Sequence, residues 1–247
     1  MNSVDIGENR SPDRGPGSSV KRECVSSDLP SIDYSAADNI KAGDVALGLR
    51  RAFDLGVASI LLVLFCIPMA IIALLVATTS RGGAFYSQTR VGRNGRPFNM
   101  HKFRSMWDGA HDMLDDDAEL KALYVASDFK IDADIDSRIT KLGRVLRKTS
   151  IDELPQLWNV IRGEMSLVGV RPIEPAQLAL RPEYDQDLYR QLRPGITGLW
   201  QVKGRSNVDP VDRIALDREY VESWSPRNDA KIIFGTPFAV LRINHTH

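Results

Sequence analysis

A run without any charged residue, from Leu55 to Ser80, constrains the fold of this 247-residue chain more than any other feature. Leucine, isoleucine, valine and phenylalanine supply most of the run, and about 18 apolar residues are enough to form a membrane helix. A buried helix of a soluble protein is the alternative. Such a helix would be hydrophobic on all sides for longer than most soluble cores can cover, so the run favours a membrane segment.

Pro68 lies at the centre of this run. A proline there removes one backbone hydrogen bond and its ring presses against the carbonyl group of Leu64, so we expect a kink and two half-helices. Each half reaches roughly 18 Å, well short of a hydrocarbon core of about 30 Å. A sharp kink would return the chain to the side from which it entered. A kinked helix that simply spans the membrane is the alternative that this pattern leaves open.

Arginines flank the run on both sides: Arg50 and Arg51 precede it, and Arg81, Arg90, Arg93 and Arg96 follow it. Basic flanks favour the cytoplasm, so both ends of the run are predicted to be cytoplasmic, which supports the re-entrant arrangement and leaves the kinked span open. We expect Arg90, Arg93 and Arg96 to meet anionic lipid headgroups.

The overall composition excludes several classes of protein. The chain has 32 basic and 32 acidic residues, so its charge gives no reason to expect a nucleic-acid partner. Only Cys24 and Cys66 are present, which argues against a disulfide framework or a zinc site and favours a reducing, cytoplasmic setting.

Three regions follow from these patterns. Residues 1–45 are rich in Ser, Asp, Gly, Pro and Arg and are predicted to be a disordered leader without a signal-peptide core. Residues 46–80 form the membrane segment. Residues 81–247 are predicted to form a cytoplasmic domain.

The third region is predicted to be α+β and helix-dominant. Two strands at 85–91 and 98–106 flank Asn94-Gly95, a strong signal for a β-hairpin turn. Residues 112–126 resemble a polar helix, and further helices are predicted at 211–224 and 229–241. From Thr140 onward the pattern is mainly helical, and one helix face carries residues at i, i+3, i+4 and i+7: Leu154, Leu157, Trp158 and Ile161.

Two adjacent carboxylates, Asp152 and Glu153, stand before Leu154-Pro155 at the predicted start of a helix. Acidic residues in a first turn also favour the helix dipole, and Ser150 with Glu153 has the spacing of a capping box, so a structural role is the alternative. Basic residues surround the pair: Arg144, Arg147 and Lys148 upstream, and Arg162 and Arg171 downstream. A phosphate at this helix start would meet free amides and guanidinium groups, as a diphosphate site requires.

Several ordered motifs give the chain a specific resemblance: KFRSM at 102–106, IDELPQL at 151–157, GEMSLVG at 163–169, RPGITGLWQV at 193–202, and Gly204-Arg205. From about residue 50 to residue 241 the chain resembles the bacterial sugar transferases, the monotopic phosphoglycosyl transferases. It is most similar to the short exopolysaccharide-priming undecaprenyl-phosphate hexose-1-phosphate transferases.

The resemblance implies a fold and an activity. The fold would be a small cytoplasmic catalytic domain on a Pro-broken re-entrant membrane helix, at the bacterial inner (cytoplasmic) membrane. The activity would be transfer of a sugar 1-phosphate from a UDP-sugar to polyprenyl (undecaprenyl) phosphate. UMP would be released through a covalent aspartyl intermediate, and exopolysaccharide or glycoconjugate synthesis would begin.

The resemblance also implies roles for individual residues. Asp152 would be the nucleophile and Glu153 its partner in a catalytic dyad, and these two carboxylates would hold Mg²⁺, which the family requires. Five further positions would serve the substrates: Lys102, Arg147, Arg171, Arg205 and Asp229.

The chain departs from the family pattern at two places. Val170-Arg171-Pro172 replaces the usual Pro-Arg-Pro, and Ile67 precedes Pro68 where some relatives have serine. Two other functions remain open, namely a membrane-anchored glycosyltransferase that releases UDP and a non-catalytic membrane scaffold. The sequence does not specify the sugar, and it leaves homo-oligomerisation open.

Overall fold

The computed structural model describes residues 44–80, 82–127, 129, 131–203 and 210–242. Nearly all of the predicted leader lies outside these residues, and so do Arg81 and Arg205. The described helices are α1 (Asp44–Thr79), α2 (Ala110–Asp116), α3 (Ala118–Ala126), α4 (Lys141–Thr149), α5 (Gln156–Arg162), α6 (Pro175–Ala179), α7 (Glu183–Gln191), α8 (Leu199–Lys203), α9 (Pro210–Glu222) and α10 (Pro226–Arg242). The strands are β1 (Phe85–Val91), β2 (Pro97–Phe103), β3 (Ser166–Val168) and β4 (Gly195–Thr197). The predicted dominance of helix is confirmed.

Helix α1 contains the whole uncharged run and is long and apolar enough, by length and composition, to cross a membrane. It continues through Pro68 without ending there, as one helix of 36 residues. Its middle presents large apolar side chains to the outside: Ile60, Val63, Leu64, Ile67, Ile71, Leu74 and Leu75.

Both ends of the uncharged run pack against the same domain. Near its beginning, Ala58 is fully buried in a cluster with Leu157 and Val160 of α5. Near its end, Val76 is buried in a second cluster with Phe103 of β2 and Leu146 of α4. The domain therefore contacts α1 on either side of its exposed middle.

Polar contacts fix the first part of α1 to the domain. Arg51 donates from Nη1 to the carbonyl oxygen of Val160 at 2.6 Å and from Nη2 to that of Ile161 at 2.9 Å. The Asp54 carboxylate accepts hydrogen bonds from Ser166 Oγ at 2.7 Å and from the backbone N–H of Leu167 at 3.1 Å. These contacts connect the helix to the end of α5 and the start of β3.

The hairpin predicted around Asn94-Gly95 is confirmed. Strands β1 and β2 pair antiparallel from Phe85 opposite Phe103 to Val91 opposite Pro97. At the turn, Asn94 and Gly95 have φ values of +59° and +72°, the left-handed conformation that this pair of residues adopts readily. Strand β2 ends at Phe103, three residues before the predicted end at 106.

Helix α4 lies unusually close to the segment that follows β2. Its first turn is capped by Thr140, whose Oγ1 accepts from the N–H of Gly143 at 2.8 Å. A Cβ atom on Gly143 would lie 1.9 Å from the carbonyl oxygen of Ser105, so only glycine permits this approach. The contact fixes the position of the first turn of α4.

Strands β3 and β4 form a second, parallel pair, with Ser166 opposite Gly195 and Val168 opposite Thr197. A core cluster surrounds this pair and includes residues of α7, α9 and α10: Val168, Val170, Ile173, Leu178, Leu188, Leu192, Tyr220 and Ile232. The helices predicted at 211–224 and 229–241 correspond to α9 and α10.

Three local predictions are wrong for identifiable reasons. The helix predicted at 112–126 is broken at Asp117, whose carboxylate accepts from the N–H groups of Glu119 and Leu120 and begins a new helix. Trp158 does not join the buried face of α5 but is 52% exposed. Arg90 is only 8% exposed and pairs with Glu174 at 3.3 Å, so it does not meet lipid headgroups.

Candidate active site

The paired carboxylates lie in a short connection between two helices. Helix α4 ends at Thr149, Ser150 adopts a left-handed conformation with φ +59°, and a single 3₁₀ turn, Ile151–Glu153, leads into α5. The side chain of Ser150 makes no capping hydrogen bond to this turn, so the capping-box interpretation is wrong. Asp152 and Glu153 therefore do not serve as the cap and first turn of a regular α-helix.

Lys102 on β2 reaches this turn from a distant part of the sequence. Its Nζ lies 2.7 Å from Glu153 Oε1. Asp152, beside Glu153, is 5% exposed. The structure thus brings together Lys102, Asp152 and Glu153, as the resemblance implied.

Asn159 explains why β2 and the dyad turn are neighbours. This fully buried side chain accepts from the backbone N–H of His101 at 3.0 Å and donates to the carbonyl oxygen of Asn99 at 2.7 Å. It also donates to Glu164 Oε2 at 2.6 Å. Sequence reasoning missed Asn159, although a polar residue between the buried Leu157 and Val160 was a visible signal.

Burial raises the pKa of Asp152 to about 6. The positive charge of Lys102 opposes this shift, the neighbouring Glu153 carboxylate adds to it, and Arg147 opposes it again. A carboxylate with this pKa is mostly ionised at neutral pH, yet it is more basic than an exposed aspartate. Asp152 therefore combines a negative charge with poor solvation, which suits a nucleophile.

Arg147, in the last turn of α4, supplies a second cation near the dyad. Its Nε donates to Ser105 Oγ at 2.8 Å. Burial lowers the pKa of Arg147, and the charges of Asp152 and Asp136 act in the opposite direction. The close approach at Gly143 places the first turn of α4 against Ser105, and Arg147 follows one turn later on the same helix.

A buried ion pair that sequence reasoning did not identify lies close to Arg147. Arg138 donates from Nε and Nη2 to the two carboxylate oxygens of Asp136, both at 2.9 Å, and both side chains are almost completely buried. The guanidinium group of Arg138 also lies 5.4 Å from the ring centroid of Tyr124. No periodicity in this stretch of sequence signals such a pair.

Glu174 is the centre of a further polar network. It accepts from Tyr124 Oη at 2.7 Å and from Gln88 Nε2 at 2.9 Å, and it pairs with Arg90. Burial raises the pKa of Tyr124, and the charge of Glu174 raises it further. Nε and Nη1 of Arg90 are buried without a hydrogen-bond partner in the described part of the chain.

Arg171 lies beside this network. Its guanidinium group stands 5.8 Å from the ring centroid of Trp200, and its charge contributes to lowering the pKa of Arg90. Its Nη1 is buried without a hydrogen-bond partner among the residues that the structure describes. The described contacts connect Arg171 to Trp200, Arg90 and Asp217, and they do not connect it directly to the dyad.

The structure does not bring Asp229 to the dyad either. Asp229 pairs with Arg50 of α1 at 3.2 Å and accepts from Tyr220 Oη at 2.8 Å and Trp224 Nε1 at 3.1 Å. Burial raises the pKa of Asp229, whereas the charge of Arg50 and the hydrogen bonds from Tyr220 and Trp224 lower it. Its described contacts join α1, α9 and α10, and Arg205, the remaining predicted residue, lies outside the described residues.

The dyad has the donors that a magnesium ion requires. Within the described residues no three or more His, Cys, Asp or Glu side chains are grouped to hold a metal. Mg²⁺ is, however, usually bound through one or two carboxylates together with substrate phosphates and water. The adjacent carboxylates of Asp152 and Glu153 fit this kind of site.

Comparison with known proteins gives a consistent result. The family described as "Bacterial sugar transferase" matches residues 45–243. The chain is 41% identical to the exopolysaccharide production protein ExoY of Rhizobium meliloti over 194 residues, which are 77% of this chain and 84% of that protein.

Two further relatives have names that state a reaction. The chain is 43% identical to the undecaprenyl-phosphate galactose phosphotransferase of Salmonella typhimurium, with 78% of this chain and 40% of that protein covered. It is 38% identical to the UDP-glucose:undecaprenyl-phosphate glucose-1-phosphate transferase of Caulobacter vibrioides, with 82% of this chain and 74% of that protein covered. The chain spans only about two fifths of the length of several longer relatives, the Salmonella protein among them.

Proposed function

Since this chain belongs to the bacterial sugar transferase family, we propose that it transfers a sugar 1-phosphate from a UDP-sugar to undecaprenyl phosphate and releases UMP. The observation that carries the proposal is the buried Asp152, placed beside Glu153 and within the influence of Lys102 and Arg147. Relatives named for phosphotransfer to undecaprenyl phosphate support the same reaction class. The reaction would begin the synthesis of an exopolysaccharide or another glycoconjugate.

The first step is attack by a carboxylate oxygen of Asp152 on the phosphorus that carries the sugar. A bond forms between this oxygen and phosphorus, the bond from phosphorus to the bridging oxygen breaks, and UMP leaves with the electron pair. The product is a phosphosugar ester of Asp152. The Asp152 carboxylate is poorly solvated before the reaction, and this makes it more reactive than the carboxylate of an exposed aspartate.

The second step transfers the phosphosugar to the lipid. A phosphate oxygen of undecaprenyl phosphate attacks the same phosphorus, and the bond between phosphorus and the Asp152 oxygen breaks, which restores the carboxylate. The water-soluble donor and the lipid acceptor therefore need not occupy the site together.

Cations must offset the negative charge of both phosphates as they approach Asp152. Two like unit charges at 4 Å repel by about 4 kcal/mol at an effective dielectric constant of 20. Lys102 and Arg147 provide two positive charges at the dyad. Mg²⁺ at the dyad would neutralise further phosphate charge. Glu153 would either help Asp152 to hold this ion or accept a proton.

We further propose that α1 enters and leaves the membrane on the same, cytoplasmic side. The support is that Ala58 and Val76, on either side of the exposed middle of α1, are both buried against one domain. A spanning helix would place a hydrocarbon core of about 30 Å between its two ends. The exposed apolar side chains in the middle of α1 would then lie in the cytoplasmic leaflet of the bacterial inner membrane.

The proposal is tested with the full-length protein in detergent, supplied with undecaprenyl phosphate and a panel of UDP-sugars. We expect UMP release with at least one donor and its loss in Asp152→Asn. Asp112→Asn, on the exposed surface of α2, removes the same charge elsewhere and should retain activity. Release of UDP would instead identify a glycosyltransferase, and equal turnover by the parent and Asp152→Asn would exclude the covalent mechanism. Absence of any turnover would favour the scaffold.

A further inference from the structure

A small pocket, here called the basic pocket, lies between the first part of α1, the β1–β2 turn and the segments beside β3 and β4. Four arginines line it, namely Arg50, Arg51, Arg93 and Arg193, together with a single carboxylate, Asp54. None of these residues belongs to the proposed dyad or to the substrate positions that the resemblance implies.

Positive charge exceeds negative charge in the basic pocket. The Asp54 carboxylate is already engaged by Ser166 Oγ and the N–H of Leu167. Asp229, outside the pocket, pairs with Arg50. Four guanidinium groups therefore face two carboxylates, which leaves an excess of two positive charges.

Three of the arginines are held by the protein itself. Arg50 donates to Tyr220 Oη at 3.0 Å, and Arg51 and Arg193 donate to carbonyl oxygens at the end of α5, with Arg193 Nε 2.7 Å from Gly163. Burial lowers the pKa of Arg193, and the charges of Arg51, Arg93 and Arg50 lower it further. The fold thus keeps mutually repelling cations together.

Arg93 differs from the other three in the partners of its guanidinium group. Nε of Arg93 and Nε of Arg50 are both buried without a hydrogen-bond partner among the described residues. Arg50, however, is ion-paired with Asp229 and donates from Nη2 to Tyr220, whereas no described carboxylate pairs with Arg93. A buried donor without a partner is costly, and an anion in the pocket would satisfy it while relieving the repulsion among the arginines.

The basic pocket is separate from the dyad. Asp152 and Glu153 precede α5, whereas Arg51 and Arg193 contact its other end. A helix of seven residues is about 10 Å long, so the two sites lie at opposite ends of it.

The position of the basic pocket along α1 indicates that it meets a lipid phosphate. Arg51 precedes Leu55, the first residue of the uncharged run, by four residues, or about 6 Å of helix. The headgroup layer on each side of a bilayer is roughly 5–7 Å thick. If α1 enters the membrane as proposed, the pocket lies at headgroup level.

We propose that the basic pocket binds the phosphate group of an anionic phospholipid, with Arg93 making the contact that the protein leaves unmade. This inference rests on the proposed membrane association and not on the proposed chemistry. The lipid would fix the depth of α1 and hold the hairpin turn against it.

The test compares unfolding temperatures of the full-length protein in nanodiscs of phosphatidylcholine with and without phosphatidylglycerol. We expect phosphatidylglycerol to raise the Tm of the parent by several degrees and Arg93→Gln to lose at least half of that rise. Arg96→Gln is the matched control, because Arg96 belongs to the same turn, carries the same charge and is exposed outside the pocket. In phosphatidylcholine alone, Arg93→Gln should be at least as stable as the parent because one repelling charge is gone, and this measurement also verifies that the variant folds.

Three outcomes would overturn the inference. Equal loss in Arg93→Gln and Arg96→Gln would indicate general attraction between surface charges and the bilayer. A rise of the same size with inorganic phosphate in phosphatidylcholine nanodiscs would assign the pocket to a soluble ion. No rise in Tm with phosphatidylglycerol would exclude the lipid site. UMP release would be measured in the same nanodiscs, and if it persists, the absence of a lipid site leaves the proposed reaction standing. A protein that does not remain with the nanodiscs would instead refute the membrane association on which the inference rests.

Discussion

Nζ of Lys102 lies 2.7 Å from Oε1 of Glu153, although 51 positions separate the two residues in the chain. The β1–β2 hairpin thus contributes a cation to the turn that joins the consecutive helices α4 and α5. Of the charges that act on Asp152, that of Lys102 has the largest effect in lowering its pKa. Lys102 therefore both holds Glu153 and helps to keep Asp152 ionised.

Replacing Lys102 by methionine should move the acidic limb of the pH–rate profile to higher pH. The parent should lose activity as the pH falls through about 6, where Asp152 becomes protonated. Without the Lys102 charge, the pKa of Asp152 rises, so the variant should lose most activity at acidic pH and least in alkaline buffer. The measurement is kcat/KM for UMP release against pH. Lys121→Met, which removes an exposed partner of Asp115, serves as control, and an unshifted limb in Lys102→Met would contradict the assignment.

Asp152→Asn should abolish turnover and at the same time stabilise the folded protein at alkaline pH. Loss of a covalent nucleophile lowers kcat by a factor of at least about 1,000. The pKa of Asp152 is higher in the folded chain, about 6, than its ordinary value of 3.8, so the folded state favours the protonated form. Its contribution to stability is present below pH 3.8 and is lost as the pH rises through about 6.

The stability difference between Asp152→Asn and the parent should therefore be small near pH 4 and favour the variant at pH 8. Thermal unfolding of both proteins at the two pH values measures it. A helix-stabilising Asp152 would give the opposite sign at pH 8, so an Asp152→Asn variant that is less stable there would refute the assignment of a strained, functional carboxylate.

Gly143→Ala should damage both stability and activity. The new Cβ would lie 1.9 Å from the carbonyl oxygen of Ser105, so α4 must shift and carry Arg147 with it. Overpacking of this kind costs about 1–3 kcal/mol. Gly48→Ala is the matched control, because a Cβ there meets nothing within 4 Å and alanine favours the helix. Denaturant unfolding and UMP release would be measured for both variants, and an unaffected Gly143→Ala would exclude a role for this close approach.

The sequence predicted those features that depend on local chemistry. The β1–β2 hairpin followed from Asn94-Gly95, which adopts the left-handed turn without strain, and α9 and α10 followed from the Pro194-Gly195 and Ser225-Pro226 breaks that separate them. Asp117 shows the limit of periodicity, because a single aspartate that caps a new helix divides a segment whose pattern is continuous. An aspartate that caps a helix and an aspartate inside a helix cannot be told apart in the sequence, because only the backbone conformation distinguishes them.

Features that depend on distant contacts could not be predicted in the same way. Arg90 looked like a headgroup contact because it follows the membrane segment, but Glu174, far along the chain, buries and pairs it. Trp158 fitted an apolar helix face, yet Asn159 occupies the buried position because it binds two backbone groups of β2. In both cases a long-range polar partner outweighed the local pattern.

The last prediction concerns the topology of α1. In a chain with Cys24→Ser and Cys66→Ser, single cysteines would be placed at Leu49 and at Thr78, two exposed positions near the beginning and the end of the helix. If α1 enters and leaves the membrane on the cytoplasmic side, a membrane-impermeant maleimide should label neither cysteine in intact spheroplasts. It should label both after permeabilisation and both in inside-out vesicles. The physical reason is that one domain packs near both Ala58 and Val76, so a span would have to pull one of these contacts through the hydrocarbon core. Each variant must retain UMP release, which verifies that the contacts of α1 are intact. Labelling of one position but not the other from outside, in an active variant, would establish a spanning helix and refute the re-entrant arrangement.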